Sequence, residues 1–122
     1  MAAFILALGA LWCAVAVAAG AFGAHALAER LDVRSLALWE TAARYLMYGG
    51  LGSTLVGIAG MQWPRTGFDL AGMAVLAGAA VFGGTVGAIA LGAPRWLGAI
   101  TPIGGLLMIA GFLVSAWTAL RL

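Results

Sequence analysis

Charged side chains are so sparse in this chain that they act as punctuation. Asp, Glu, Lys and Arg are absent from Met1 to Ala28, from Tyr45 to Pro64, from Leu70 to Pro94 and from Trp96 to Leu120. A helix needs roughly 20 mostly apolar residues to cross about 30 Å of hydrocarbon at about 1.5 Å per residue, and all four runs reach that length. Period-two alternation, the mark of a membrane barrel strand, is missing, and backbone groups in lipid must then be satisfied within their own segment. The pattern predicts an all-α integral membrane bundle of four transmembrane helices with short loops. It forms a single domain over residues 1–122, with spans at about 2–25, 36–61, 67–91 and 102–120.

Local chemistry marks the ends. Thr101 followed by Pro102 predicts an N-cap and a first helical residue that has no N–H to leave unpaired. Thr66 and Asp69 resemble a capping box, with Asp69 at the positive end of the helix dipole, and Ser35 is the expected cap of the second span. The link from Gln62 to Thr66 contains Pro64 and is short enough to force an antiparallel hairpin. Leu27 and Leu31, with Arg30 and Arg34, suggest a short surface helix between Ala26 and Arg34. Trp39, Trp63, Trp96 and Trp117 fall at span ends, as interfacial aromatics do, whereas Trp12 in mid-span is expected to pack between helices.

Composition agrees with this division. Hydrophobic residues make up 65% of the 122 residues and charged ones 8%, far below the roughly 25% of soluble domains. Six basic residues, all arginine, give a net charge of +2 with no basic cluster, so nucleic acid is not an expected partner. The lone Cys13 excludes an intrachain disulfide and a multi-cysteine metal site. Residues 1–28 lack a basic leader and exceed the usual apolar length of a signal peptide, so the first span is expected to be retained. Arg30, Arg34 and Arg95 fall on one side of the membrane against Arg65 and Arg121 on the other, a bias that favours both termini outside the cytoplasm.

Four spans place most of the polar chemistry at one end. His25, Glu40, Arg44, Tyr45, Tyr48 and Thr101 all map to that side and form the candidate polar cluster, because ionisable residues near membrane depth face a partner or a wet cavity. Glu40 and Arg44, four apart and acid first, are expected to pair. One histidine cannot supply bis-histidine haem ligation, Cys13 lies too far along the first span to complete a zinc set, and no serine is tied to a base. No catalytic, cofactor-binding or metal-binding residue is therefore assigned, and no cofactor is implied.

Small residues recur every four positions at Gly49, Ser53 and Gly57, at Ala79, Gly83 and Gly87, at Ala80, Gly84 and Ala88, and at Gly111 and Ser115. Such rows let helix backbones approach closely where lipid supplies no hydrophobic drive. Helix packing is thus the expected role of Gly49, Ser53, Gly57, Gly83 and Gly87. Thr54 and Thr85 are expected to bond back to their own helix carbonyls.

Gly20-Ala21-Phe22-Gly23-Ala24-His25, Trp39 with Thr41, Tyr45 and Tyr48, Phe82-Gly83-Gly84, and Thr101-Pro102-Ile103-Gly104-Gly105 before Gly111-Phe112 together resemble the YgdD/YwdK family of small four-span membrane proteins. The resemblance covers nearly the whole chain and implies the same architecture, but no activity, since the family is a domain of unknown function. Members often carry a histidine where this chain has Gly49, and a serine and a tyrosine where it has Gly83 and Gly87. His25 and the Thr101-Pro102 corner persist. The resulting reading is a non-enzymatic module of the cell membrane, the inner membrane in a bacterium. Its expected partners are membrane lipid, a second copy or another membrane protein. The alternative is an oligomeric channel or small transporter with its mouth at His25, Glu40 and Arg44.

Overall fold

A computed structural model describes residues 1–122 as four antiparallel helices: α1 (Ala2–His25), α2 (Val33–Gln62), α3 (Thr66–Ala90) and α4 (Thr101–Leu120). Short 3₁₀ turns at Leu27–Glu29 and Arg95–Ala99 occupy the two connections at the His25 end. The fold is all-α, and α1, α3 and α4 are each long and apolar enough to cross a membrane. Helix α2 is less apolar, because it carries Arg34, Glu40 and Arg44 in its first half and a glycine-rich second half.

Three caps differ from those the sequence suggests. Helix α2 begins three residues early because Asp32, not Ser35, is its N-cap: the carboxylate accepts the Ser35 N–H at 2.7 Å. Aspartate caps as well as serine does, and here it comes first along the chain. Neither Thr66 nor Asp69 makes a capping bond; α3 starts from the extended Arg65, which follows Pro64. Thr101 is the first residue of α4 rather than its cap, and its hydroxyl meets the Thr85 hydroxyl at 2.6 Å and the Leu97 carbonyl at 3.3 Å. The expected surface helix between Ala26 and Arg34 shrinks to the single 3₁₀ turn, since α2 claims Val33 and Arg34.

Two stops have clear causes. Trp63 precedes Pro64, whose ring disfavours helical backbone before it, and Trp63 is extended at φ −127°. At the end of α3, Gly92 has φ +106°, the Ala93 N–H donates to Ala88 O at 2.9 Å, and the Gly92 N–H donates to Ile89 O at 3.0 Å. This is a Schellman motif, which needs the left-handed residue that glycine supplies at least cost.

The packing order follows the chain: α1 lies on α2, α2 on α3 and α3 on α4, while α1 and α4 flank the central pair without packing on each other. Backbones touch at glycine. A Cβ on Gly50 would stand 2.8 Å from Cys13 N and 2.9 Å from Gly9 O, and one on Gly57 would stand 2.7 Å from Leu6 N. Between α3 and α4, a Cβ on Gly78 would stand 2.6 Å from Gly104 O, and one on Gly104 the same distance from Phe82 N. The row of Gly49, Ser53 and Gly57 therefore serves two neighbours, Gly49 meeting Ala79 of α3 and Gly57 meeting α1. Steps of four residues drift about 40° around a helix of 3.6 residues per turn, so the row winds from one face to the next.

Trp12 packs between helices as expected, donating its indole N–H to Leu76 O on α3 at 3.1 Å. Thr54 and Thr85 bond back to Gly50 O and Val81 O, each at 2.8 Å. Ser53 is fully buried, with no hydrogen-bond partner for its hydroxyl. A small apolar core of Val56, Phe68 and Ala71 closes the hairpin between α2 and α3.

Two glycine substitutions should separate in sign. Gly50→Ala drives a methyl into the backbone of α1 and should destabilise by about 1–3 kcal/mol, the usual cost of overpacking. Gly84→Ala meets nothing within 4 Å and should stabilise α3 by about 0.5–1 kcal/mol. Unfolding by SDS titration in detergent checks both, and equal effects would discard the backbone-contact account.

Candidate functional site

Above the Trp12 bridge, α1 and α3 separate and leave a groove floored by α2. Its walls are Trp12, Val15 and Ala19 on α1 and a small-residue face of α3 running from Ala80 to Leu91; its floor is Trp39, Ala42, Ala43 and Leu46. The groove measures about 380 Å³ and is almost wholly apolar. Both indoles in it have spent their donors on backbone: Trp39 donates to Ala19 O at 2.8 Å and Trp12 to Leu76 O. Trp39 is thus no interfacial anchor. It sits seven residues into α2, where it ties that helix to α1 and faces Gly23.

The glycines of the α3 wall differ from those elsewhere. A Cβ on Gly83 or Gly87 would come no closer than 3.4 Å and 3.7 Å to α2, and Gly84 faces open space. Internal packing accepts alanine at all three positions. Glycine in a helix costs about 0.5–1 kcal/mol relative to alanine, so their presence along one groove is not explained by contacts within the chain.

The candidate polar residues occupy several separate environments. Tyr45 and Tyr48 pack edge to face with ring centroids 5.3 Å apart, and Tyr45 lies 4.4 Å from the Phe82 ring. Thr101 is engaged with Thr85, joining α4 to α3. His25 ends α1 exposed. Glu40 and Arg44 are both exposed and form no ion pair within 4.0 Å, so the expected pairing is not made: on the helix surface each extends separately to solvent or headgroups. None of the six lines the apolar groove.

A second cavity of about 450 Å³ opens at the same end, on the other side of the α2–α3 contact, among Asp32, Arg34, Ser35 and Leu38 of α2 and the Gly92–Arg95 turn. Asp32 is held below the usual carboxylate range, first by the Ser35 backbone N–H, then by the Ser35 hydroxyl, with a smaller contribution from the Arg34 charge. Its charge is committed to the cap, which leaves Arg34 and Arg95 as the cations of the cavity rim. The sequence pattern scatters these residues over two loops; only the Schellman turn at Gly92 folds Arg95 back beside α2. No group of His, Cys, Asp and Glu is arranged to hold a metal ion.

Comparison with known proteins matches residues 19–105 to a family model described as "Protein of unknown function (DUF423)". A UPF0382 membrane protein of Staphylococcus epidermidis is 43% identical over 122 residues, covering 99% of this chain and 98% of the relative. Another, from Staphylococcus haemolyticus, is 43% identical over 114 residues, 93% of this chain and 92% of its own. A third, from Staphylococcus aureus, is 39% identical over 114 residues, with 93% and 92% covered. No solved structure matches.

Two measurements probe this geometry. Asp32 ionises more readily folded than unfolded, so its capping contribution is complete above the ordinary value of 3.8 and is lost as pH falls through the lower folded value. Protection of the Ser35 amide, its exchange rate taken relative to the intrinsic rate at each pH, should therefore fall only in strong acid, and Asp32→Asn should flatten that dependence; protection unchanged by acid in the parent chain would contradict the cap. Trp39→Phe removes the N–H to Ala19 together with part of the ring beside Gly23 and should cost at least about 0.5–1.5 kcal/mol, read by detergent unfolding; an unchanged stability would contradict the bond.

Proposed function

The chain belongs to the membrane-protein family described as "Protein of unknown function (DUF423)", and for this member we propose a non-enzymatic membrane module whose working surface is its flank. In this reading α2 is the fourth span. Short connections and side-by-side packing on α1 and α3 oblige it to cross wherever they do. Neighbours on both sides lower the apolarity it needs, since only part of its surface meets lipid.

The observation that carries the proposal is the apolar groove between α1 and α3, whose walls have no free hydrogen-bonding group on either indole. Such a surface suits a lipid chain or an apolar helix and offers nothing to polarise a reacting bond. The residues that a channel would use as pore donors point elsewhere. Thr54 and Thr85 are turned onto carbonyls of their own helices, and Ser53 is enclosed. The expected partners are membrane lipid first, with a second copy or another membrane protein as the other occupants such a flank can take.

Reconstituted vesicles test this reading directly. Ion and solute flux across a broad panel should equal that of protein-free vesicles. Flux above that level that falls on His25→Ala or Arg44→Ala would replace the module by the channel reading, with its mouth at the His25 end.

A further inference from the structure

We infer that the groove between α1 and α3 holds one acyl chain of a phospholipid from the leaflet at the His25 end. This deepens the flank-binding reading above and rests on it.

Length and closure point to a single leaflet. Trp12 and Leu76, joined by the indole hydrogen bond, lie near the middles of α1 and α3. The groove begins there and runs along α3 from Ala80 to Leu91, about 16 Å at 1.5 Å per residue. Half of a hydrocarbon core of about 30 Å is the same depth. The bridge therefore closes the groove near the bilayer centre, and its open end lies at headgroup level, at the end of the molecule where the α1–α2 connection carries Arg30. Arg30 is exposed and in no ion pair within 4.0 Å, so its charge is available to a phosphate at that level.

Shape and chemistry choose the occupant. The groove is concave, so a two-fold pairing of two copies through it would set hollow against hollow and leave the space unfilled. Its Trp12 and Trp39 donors are already used, which leaves no anchor for a polar ligand. A flexible methylene chain requires neither a matching ridge nor a hydrogen bond. Lipid-to-groove transfer has no hydrophobic drive, so retention must come from close van der Waals packing. Gly84 provides for that: it is exposed with nothing within 4 Å of its missing Cβ, so an occupant can reach the backbone of α3 there, while Gly83 and Gly87 keep the wall low beside α2.

Native mass spectrometry of the whole chain released from mild detergent tests the inference, with phosphatidylglycerol as added probe. One phospholipid per chain should remain bound. A double substitution, Ala80→Leu with Gly84→Leu, fills the groove from two exposed positions and should abolish retention, while Ala110→Leu on the exposed side of α4 should leave it unchanged. Equal retention by all three proteins, or none by the parent, overturns the inference. A bound mass matching a free fatty acid overturns its source, and loss of a dimer instead of a lipid names a second copy as occupant; both leave the flank-binding module standing.

A second measurement is independent of the filling substitutions. In a chain carrying Trp63→Phe, Trp96→Phe and Trp117→Phe, only the two groove indoles fluoresce. Phosphatidylglycerol brominated on its acyl chain should quench them at a lower mole fraction in the membrane than it quenches Trp117 in a chain retaining that indole alone. Matching quenching curves reject a bound chain. Vesicle flux, which the groove substitutions are not expected to create, reads the underlying module reading separately.

Discussion

Everything in this fold depends on how closely two helix backbones can approach. Lipid is as apolar as leucine, so pulling helices together in a membrane gains little by hiding their side chains, and contact must come from packing. At Gly9, Gly50 and Gly57 on one side and Gly78, Gly104 and Gly111 on the other, the missing Cβ lets main chain meet main chain or the base of a side chain. The larger apolar side chains are consequently free to point outward, and Leu55, Leu106, Leu113 and Trp117 are among the many that do. Polar groups accept the same geometry, with threonine hydroxyls and two indoles bonded to backbone carbonyls.

That dependence explains what could be read from the residues beforehand. Helix number, type and approximate extent followed from the spacing of charges, and the mid-span position of Trp12 correctly implied a role between helices. Caps were less accessible, because Asp32 and Ser35 are both good capping residues and only backbone geometry decides between them. Thr101 was misplaced for a related reason: Thr85, sixteen residues away in sequence, competes for its hydroxyl. The glycine rows were visible, but which row meets which neighbour was not, since a period of four is the same for a face on α1, on α3 or on lipid.

The candidate site shows the same division more sharply. Membrane sidedness groups His25, Glu40, Arg44, Tyr45, Tyr48 and Thr101 at one end, yet side chains sharing a depth can point to different faces of different helices. The structure distributes them between an aromatic stack, a hydroxyl pair and the exposed surface. The groove, by contrast, is written in residues with no distinctive chemistry. Alanine and glycine announce close approach without saying whether the space beside them is filled by the same chain, and only the arrangement of α1, α2 and α3 together separates Gly50 from Gly84.

The arrangement in which α1 and α4 never meet also bears on how the molecule is made. Each helix finds nearly all of its packing surface on the one synthesised just before it, so long-range closure, the slow step in many topologies, is not required. A chain emerging from the ribosome can dock α2 onto α1, then α3 onto α2, each hairpin completing contacts that need nothing still to be translated. The last helix adds a final layer to an assembly already standing. Insertion and folding can therefore proceed together as one sequential process along the nascent chain.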